Sequence, residues 1–161
     1  MADSEIGGMK IKDLFEVEPI LTGRTQIDTI VKLTGTVWST SGLAWHTLEP
    51  DVDDVTYNSA GFLTLNASEK VVCPIEGIPN GAKIKKATCF GSETDETWDL
   101  RKIELSTSTS TSIVSGTAFQ STASDIDEII NNQNFAYYFV TDTLLDATDI
   151  IYGCSIEYEN P

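Results

Sequence analysis

The sequence predicts an all-β protein, an antiparallel two-sheet sandwich of the jelly-roll type with an extended N-terminal arm. From Leu43 onward, short alternating or fully apolar segments are separated by turn residues, and about eight of them fill the rest of the chain. The preceding residues have Pro and Gly breaks and no repeated strand pattern. The Cys-Trp-Cys spacing of an immunoglobulin domain is missing, which favours a jelly roll. We therefore predict an arm at 1–42 and a sandwich at 43–161.

The first half of the sandwich contains four predicted strands, at 43–49, 61–65, 70–76 and 83–92. The third of them places Val71, Cys73 and Ile75 on one face, as a half-buried strand requires. The segment "GIPNGAK" that follows supplies the Pro and Asn-Gly punctuation of a turn.

The second half contains predicted strands at 97–105, 134–141 and 149–159. A β-bulge is expected near Arg101, because the apolar positions change parity within the first of these strands. The Ser/Thr run at 106–112 is interpreted as an exposed strand end or loop. The segment "STASDIDEIINNQ" is the one predicted helix, with Ser124 as its cap.

Charge and hydropathy exclude several classes of function. Lys and Arg number 10 against 25 Asp and Glu, a formal charge of −15, so nucleic acid would be repelled. The apolar runs are far shorter than the roughly 20 residues that span a bilayer, so no membrane segment is expected. The acidic start does not resemble a signal peptide.

The chemistry-bearing residues do not form a recognisable catalytic set. His46 is the only histidine, and its neighbours Trp45 and Leu48 indicate an ordinary strand position. The motifs of nucleotide-binding loops, zinc proteases and serine hydrolases are all missing. We therefore predict no enzyme activity, no catalytic residue and no cofactor.

The three cysteines, Cys73, Cys89 and Cys154, are an odd number without CxxC spacing. This argues against a disulfide framework and against a zinc knuckle. We interpret them as buried thiols of the strand core rather than as one bridge with a free partner.

An acidic segment follows the first predicted strand and could form a calcium site or a solvated turn. It lacks the glycine and glutamate of an EF-hand loop, having Thr56 and Phe62 at those positions. We predict a solvated turn and therefore no metal site; the calcium alternative would use Glu49, Asp51, Asp53 and Asp54.

Two further surfaces could serve binding. The polar-flanked tryptophans Trp38, Trp45 and Trp98 could form a sugar-stacking platform, although core burial is the default for each. In the strand at 134–141 both faces are apolar, so the face of Ala136, Tyr138 and Val140 is a candidate subunit interface.

The arm is too apolar for a purely solvating tail and too irregular to form a core of its own. We expect its apolar side chains to be buried by another protein or subunit. They are Ile6, Met9, Ile11, Leu14, Phe15, Val17, Ile20 and Leu21. A chain starting at Ser41 should then fold but lose its attachment.

The order of segments in the sandwich resembles the small jelly-roll domains of virus particles. The resemblance covers 43–158 and is carried by "VVCPIEGIPNGAKIKKATCFGSE", "LRKIELS", "IINNQNFAYYFVT" and "DIIYGCSIEYE". Such domains are head-decoration proteins and fibre or spike tips of tailed phages and archaeal viruses.

The resemblance implies a non-enzymatic virion protein, usually a homotrimer, that is assembled in the host cytoplasm. Its partners would be further copies of itself and the major capsid protein or another virion protein. The arm would then be the attachment element. A carbohydrate- or receptor-binding module for host-surface glycans, and a filament subunit joined by strand exchange, are the alternatives.

Overall fold

The computed structural model describes residues 35–48, 54–92 and 94–161, together with the backbone of two short strands near the N-terminus. Those two strands, β1 (Glu5–Ile6) and β2 (Met9–Lys10), pair antiparallel. The chain divides into two compact units, Met1–Thr34 and Gly35–Pro161. The sandwich is built by the second unit.

Eleven strands and one short helix form the described part of the second unit. They are β3 (Thr36–Ser41), the 3₁₀ helix η1 (Gly42–Ala44), β4 (His46–Thr47), β5 (Val55–Tyr57), β6 (Leu63–Leu65), β7 (Val71–Ile75), β8 (Lys83–Gly91), β9 (Trp98–Glu104), β10 (Ser110–Gly116), β11 (Thr122–Ala123), β12 (Phe135–Thr141) and β13 (Ile150–Glu159).

The strands form two antiparallel sheets. The five-stranded sheet has the order β10-β9-β12-β7-β4, and the six-stranded sheet has the order β11-β8-β13-β6-β5 with β3 also paired to β13. The all-β, two-sheet antiparallel sandwich of jelly-roll type is thus confirmed. Predicted strands are found at β6, β7, β8, β9, β12 and β13, with bounds that differ by one or two residues.

The core lies between the sheets and is filled by every second side chain of the longer strands. Phe139 of β12 is at its centre, with ring centroids 6.3 Å from Trp45 and 5.6 Å from Trp98. Cys73, Cys89 and Cys154 are free and buried, as predicted. Burial raises the thiol pKa of Cys89 and Cys154, so both are held as neutral thiols.

Strand β3 corrects the predicted boundary between arm and sandwich. Its residues pair with β13 from Thr36 opposite Tyr158 to Ser41 opposite Gly153. Residues 36–41 therefore belong to the sandwich, and the division falls between Thr34 and Gly35. The Ser and Thr residues of β3 hid the strand, because they weaken the apolar alternation that the prediction used.

The predicted strand at 43–49 is also shorter than expected. The chain makes one turn of 3₁₀ helix at η1, and only His46 and Thr47 pair with β7. This turn carries the chain from the six-stranded sheet to the five-stranded sheet. Gly42 is required there, because a β-carbon would overlap the Ile151 carbonyl oxygen.

The predicted helix at 121–133 is wrong. Thr122 and Ala123 form β11 on the edge of β8, and the chain continues without a helix, with Asp125 at a φ of 59°. Its backbone is satisfied by the opposite segment, since Ile84 N donates to Glu128 O and Ile130 N donates to Ala82 O, both at 2.8 Å. These long-range hydrogen bonds outweigh the local capping signal.

The predicted bulge lies on the neighbouring strand. β9 pairs with β12 without interruption, while the register of β10 shifts between Ser112 and Val114. The irregularity is opposite Arg101, but the extra residue is Ile113. Apolar residues can occupy both faces of β9 without a bulge, because the strand is only half-buried from Arg101 to its C-terminal end.

Candidate functional site

A cleft lies beside Trp38 at one open side of the sandwich. Trp38 is on β3 opposite Ile156 and packs against the core, while part of its indole stays exposed. The cleft has a volume of about 440 Å³ and is lined by Trp38, Ser39, Thr40, Leu43, Ala44, His46, Pro74 and Glu76. Because β4 is only two residues long, it leaves the part of β7 around Pro74 open to this cleft.

The lining of the cleft combines apolar and hydrogen-bonding groups. Leu43, which is 45% exposed, and Pro74 extend the apolar surface of the indole. His46 and Glu76 add exposed polar side chains. An aromatic surface with a few converging polar groups is the arrangement that small polar ligands such as sugars require.

His46 lies in this cleft, next to the side chain of Tyr57. Its Nδ1 is 3.4 Å from the hydroxyl of Tyr57, and that hydroxyl donates to the carbonyl oxygen of Trp45 at 3.0 Å. The side chain is exposed at the end of β4. This arrangement offers a hydrogen-bonding group to a ligand.

Trp45 and Trp98 do not contribute to a sugar platform, because both are completely buried. Trp98 Nε1 donates to the carbonyl oxygen of Ala118 at 3.0 Å. Of the three tryptophans proposed for stacking, only Trp38 can reach a ligand. The sequence could not separate them, because all three have polar neighbours.

The candidate interface residues lie on the outer face of the five-stranded sheet. Ala136 is exposed, Tyr138 is half-buried, and Val140 is 8% exposed. The Tyr138 hydroxyl is 2.6 Å from Ser110 Oγ on β10. Val140 is already covered within one chain, so Ala136 and Tyr138 are the members of this set that a partner could reach.

A polar network that the sequence did not reveal adjoins Tyr138. Asp99 is buried and accepts from Arg101 Nη2 at 2.6 Å and from Ser115 Oγ at 2.5 Å. The Asp99 carboxylate raises the pKa of Arg101. The network neutralises the carboxylate within the sheet and leaves a mostly hydroxyl-bearing surface towards β10.

Most of the possible calcium ligands lie outside the described residues. Glu49, Asp51 and Asp53 are not described, and Asp54 is half-buried ahead of β5. In the described ranges, no group of three or more His, Cys, Asp or Glu is placed to hold a metal ion. The solvated turn therefore stays a prediction.

Glu96, in the loop between β8 and β9, is a buried acid that the sequence did not indicate. Its side chain is 8% exposed, and its Oε2 lacks a hydrogen-bond partner among the described residues. Burial, together with the carboxylates of Asp95 and Asp149, raises its pKa to about 7. The group can therefore carry a proton near neutral pH.

The predicted arm residues are almost entirely outside the described part of the chain. Ile6 and Met9 are backbone partners in the β1–β2 pair. Ile11, Leu14, Phe15, Val17, Ile20 and Leu21 are not described. Within the described residues, no helix is long and apolar enough to cross a membrane.

Comparison with known proteins finds solved structures with a similar fold but no matching protein family. No protein-family model matches the chain, and no curated protein matches it in sequence. The C-terminal CBM6 of LamC, a laminarinase from Zobellia galactanivorans, is 11% identical with a TM-score of 0.45, covering 76% of this chain and 99% of its own.

Two other solved structures have lower TM-scores. The Podospora anserina GH26-CBM35 β-(1,4)-mannanase is 12% identical with a TM-score of 0.40. The match covers 78% of this chain and 28% of that chain. The cyanophage Pam1 capsid asymmetric unit is 15% identical with a TM-score of 0.34, covering 79% of this chain and 86% of that chain. Such similarities indicate neither a ligand nor a partner for this chain.

Proposed function

We propose that the chain is a non-enzymatic structural subunit of a virus particle, a capsid-decoration or fibre and spike component anchored by its N-terminal segment. The virion assignment rests on the segment order that resembles viral jelly rolls. The chain forms a homo-oligomer on the major capsid protein or on another virion protein. The same resemblance favours a trimer. Assembly takes place in the host cytoplasm.

The observation that carries this proposal is that the buried apolar residues of the sandwich form one continuous cluster. All buried apolar side chains of the described residues lie between Trp45 and Tyr158. We infer that the apolar residues of the N-terminal segment bury surface on a partner, and an anchor of this kind can reach the roughly 1,200 Å² of a specific interface.

The assembly role is tested by comparing the full chain with a chain of residues 35–161 on purified particles that lack the protein. We expect the shorter chain to keep its β-rich circular dichroism spectrum and to lose particle binding by at least tenfold. A full chain carrying Leu48→Ser, an exposed change in the sandwich, is the matched control. Equal binding by the shorter chain would contradict the proposed anchor.

The Trp38 cleft supports a second candidate function, binding of a host-surface glycan. One aromatic ring packed on a sugar, with His46 and Glu76 as hydrogen-bonding groups, would give weak binding that many copies on a particle strengthen.

This candidate is tested by titrating neutral oligosaccharides into the protein. We expect Trp38→Ala to weaken binding by about tenfold or more, the loss of about 1.4 kcal/mol, and Trp38→Phe to keep most of it. Leu144→Ala, an exposed change outside the cleft, is the control. Identical affinities for Trp38→Ala and the control would exclude the cleft.

A further inference from the structure

The edge strand β10 lies in the longest uncharged part of the chain. Residues 105–124 contain no Asp, Glu, Lys or Arg, although the whole chain has a formal charge of −15. β10 is at one end of the five-stranded sheet and, among the described strands, pairs only with β9. Edge strands usually carry charges or proline that prevent pairing with another chain, and β10 has neither.

The hydrogen bonds of β9 show which backbone groups of β10 face outward. Leu105 N donates to Asn134 O, while Glu104 N donates to Thr109 O, both at 2.9 Å. The odd-numbered residues at this end of β9 therefore bond to β12 and the even-numbered ones to β10. Antiparallel pairs alternate between hydrogen-bonded and non-hydrogen-bonded.

It follows that Ser110 and Ser112, which oppose Ile103 and Arg101, direct their N–H and C=O groups away from β9. Both residues are exposed, as is Thr111 between them. The β10 edge thus presents four backbone hydrogen-bonding groups in a short stretch ahead of the bulge at Ile113.

We propose that this edge pairs antiparallel with β10 of a second copy of the chain, about a two-fold axis at Thr111. Ser110 of each copy then exchanges two backbone hydrogen bonds with Ser112 of the other. The two copies of Thr111 face each other as a non-hydrogen-bonded pair. The inference rests on the proposed assembly role and adds the contact that joins neighbouring oligomers.

Charge explains why a second copy is the occupant. Residues 35–161 contain 19 Asp and Glu against six Lys and Arg, so the sandwiches repel each other at most points of their surfaces. Two uncharged β10 strands can meet without placing a charged side chain in the contact. About this axis Ser110 of each copy lies opposite Ser112 of the other, as in any isologous contact.

The contact is small, so the binding free energy for one pair of chains is low. In an array of subunits the binding free energies of many such contacts add up. Four backbone hydrogen bonds contribute about 1 kcal/mol each, and ordering costs reduce this sum. Asp125 and Asp127 border the cavity of about 310 Å³ beside β10 and would be brought closer together. Salt should therefore strengthen the association by screening these charges.

A cross-linking experiment tests the pairing directly in the full chain. Thr111→Cys places two thiols across a non-hydrogen-bonded pair, where Cα atoms are about 4.5 Å apart and a disulfide fits. We expect oxidation to give a disulfide dimer at least tenfold faster than for Ser59→Cys, an exposed position in the turn before β6. The native cysteines are buried and do not compete. Equal rates for the two variants would overturn the proposal.

A second experiment measures association without a covalent bond. Sedimentation of the wild-type chain should show a dimer fraction that rises between 50 mM and 500 mM NaCl. Thr111→Glu should reduce it by at least fivefold, and Thr111→Val should leave it unchanged. A dimer that persists in Thr111→Glu would contradict the edge contact. Particle binding by the full Thr111→Glu chain separates this outcome from failure of the anchor, because a single subunit attaches through residues 1–34.

Discussion

Glu96 lies in an environment that differs strongly from that of a free carboxyl group. The loop between β8 and β9 buries its carboxyl group near Asp95 and Asp149, and Oε2 receives no hydrogen bond from the described residues. Removing a carboxylate from water favours the neutral acid. The described structure therefore favours the protonated group, although the protein as a whole is strongly acidic.

The raised pKa predicts a pH dependence of stability. The pKa of Glu96 has its ordinary value of 4.5 in the unfolded chain and is about 7 in the folded protein. Between these two pH values the unfolded chain releases the Glu96 proton and the folded chain keeps it. The free energy of unfolding therefore falls as pH rises through this range and levels off above it. We expect Glu96→Gln to flatten this part of the profile.

Thermal unfolding from pH 4 to 8 measures the effect. The quantity to compare is the melting temperature of Glu96→Gln minus that of the wild type. We expect this difference to be several degrees larger at pH 8 than at pH 4. Glu76→Gln, a change at an exposed acid directly after β7, should follow the wild-type profile. Parallel profiles for wild type and Glu96→Gln would show that Glu96 ionises normally.

At the scale of elements, β3 changes what a truncated chain should do. It covers one edge of β13, and its Trp38 packs against the core. A chain starting at Ser41 loses both the backbone pairing and this apolar contact. The earlier expectation that such a chain folds intact is therefore replaced by one of marked destabilisation.

The two truncations make a matched pair. We expect residues 35–161 to melt within a few degrees of the full chain, and residues 41–161 to melt at least about 10 °C lower. Differential scanning calorimetry measures both. If the two shortened chains melt at the same temperature, β3 adds nothing to the stability of the sandwich.

Across the whole molecule, charge and backbone pairing favour different contacts. The formal charge of −15 keeps copies of the chain apart over most of their surface. The uncharged β10 edge and the face of Ala136 and Tyr138 adjoin each other, linked by the hydroxyl contact between Ser110 and Tyr138. If the proposed self-association takes place, we expect it on this side of the sandwich.

The strands with strong alternation could be predicted from the sequence. β7, β12 and β13 have apolar residues at every second position, and β12 is apolar on both faces. This alternation predicts the three strands without knowledge of the strands they pair with. The burial and free state of the three cysteines also followed from their number, spacing and strand positions.

The sequence by itself determined the all-β class, the two-sheet sandwich and the absence of a recognisable catalytic motif, because alternation, turn residues and residue types are local properties. Only the tertiary structure decided that residues 36–41 pair with β13, that the segment with Ser124 is not a helix, and that Trp38 alone of the tryptophans is accessible. Each depends on backbone groups or side chains far away in the chain. The burial of Glu96 beside Asp149 has the same origin, since two loops meet there that the sequence keeps more than 50 residues apart.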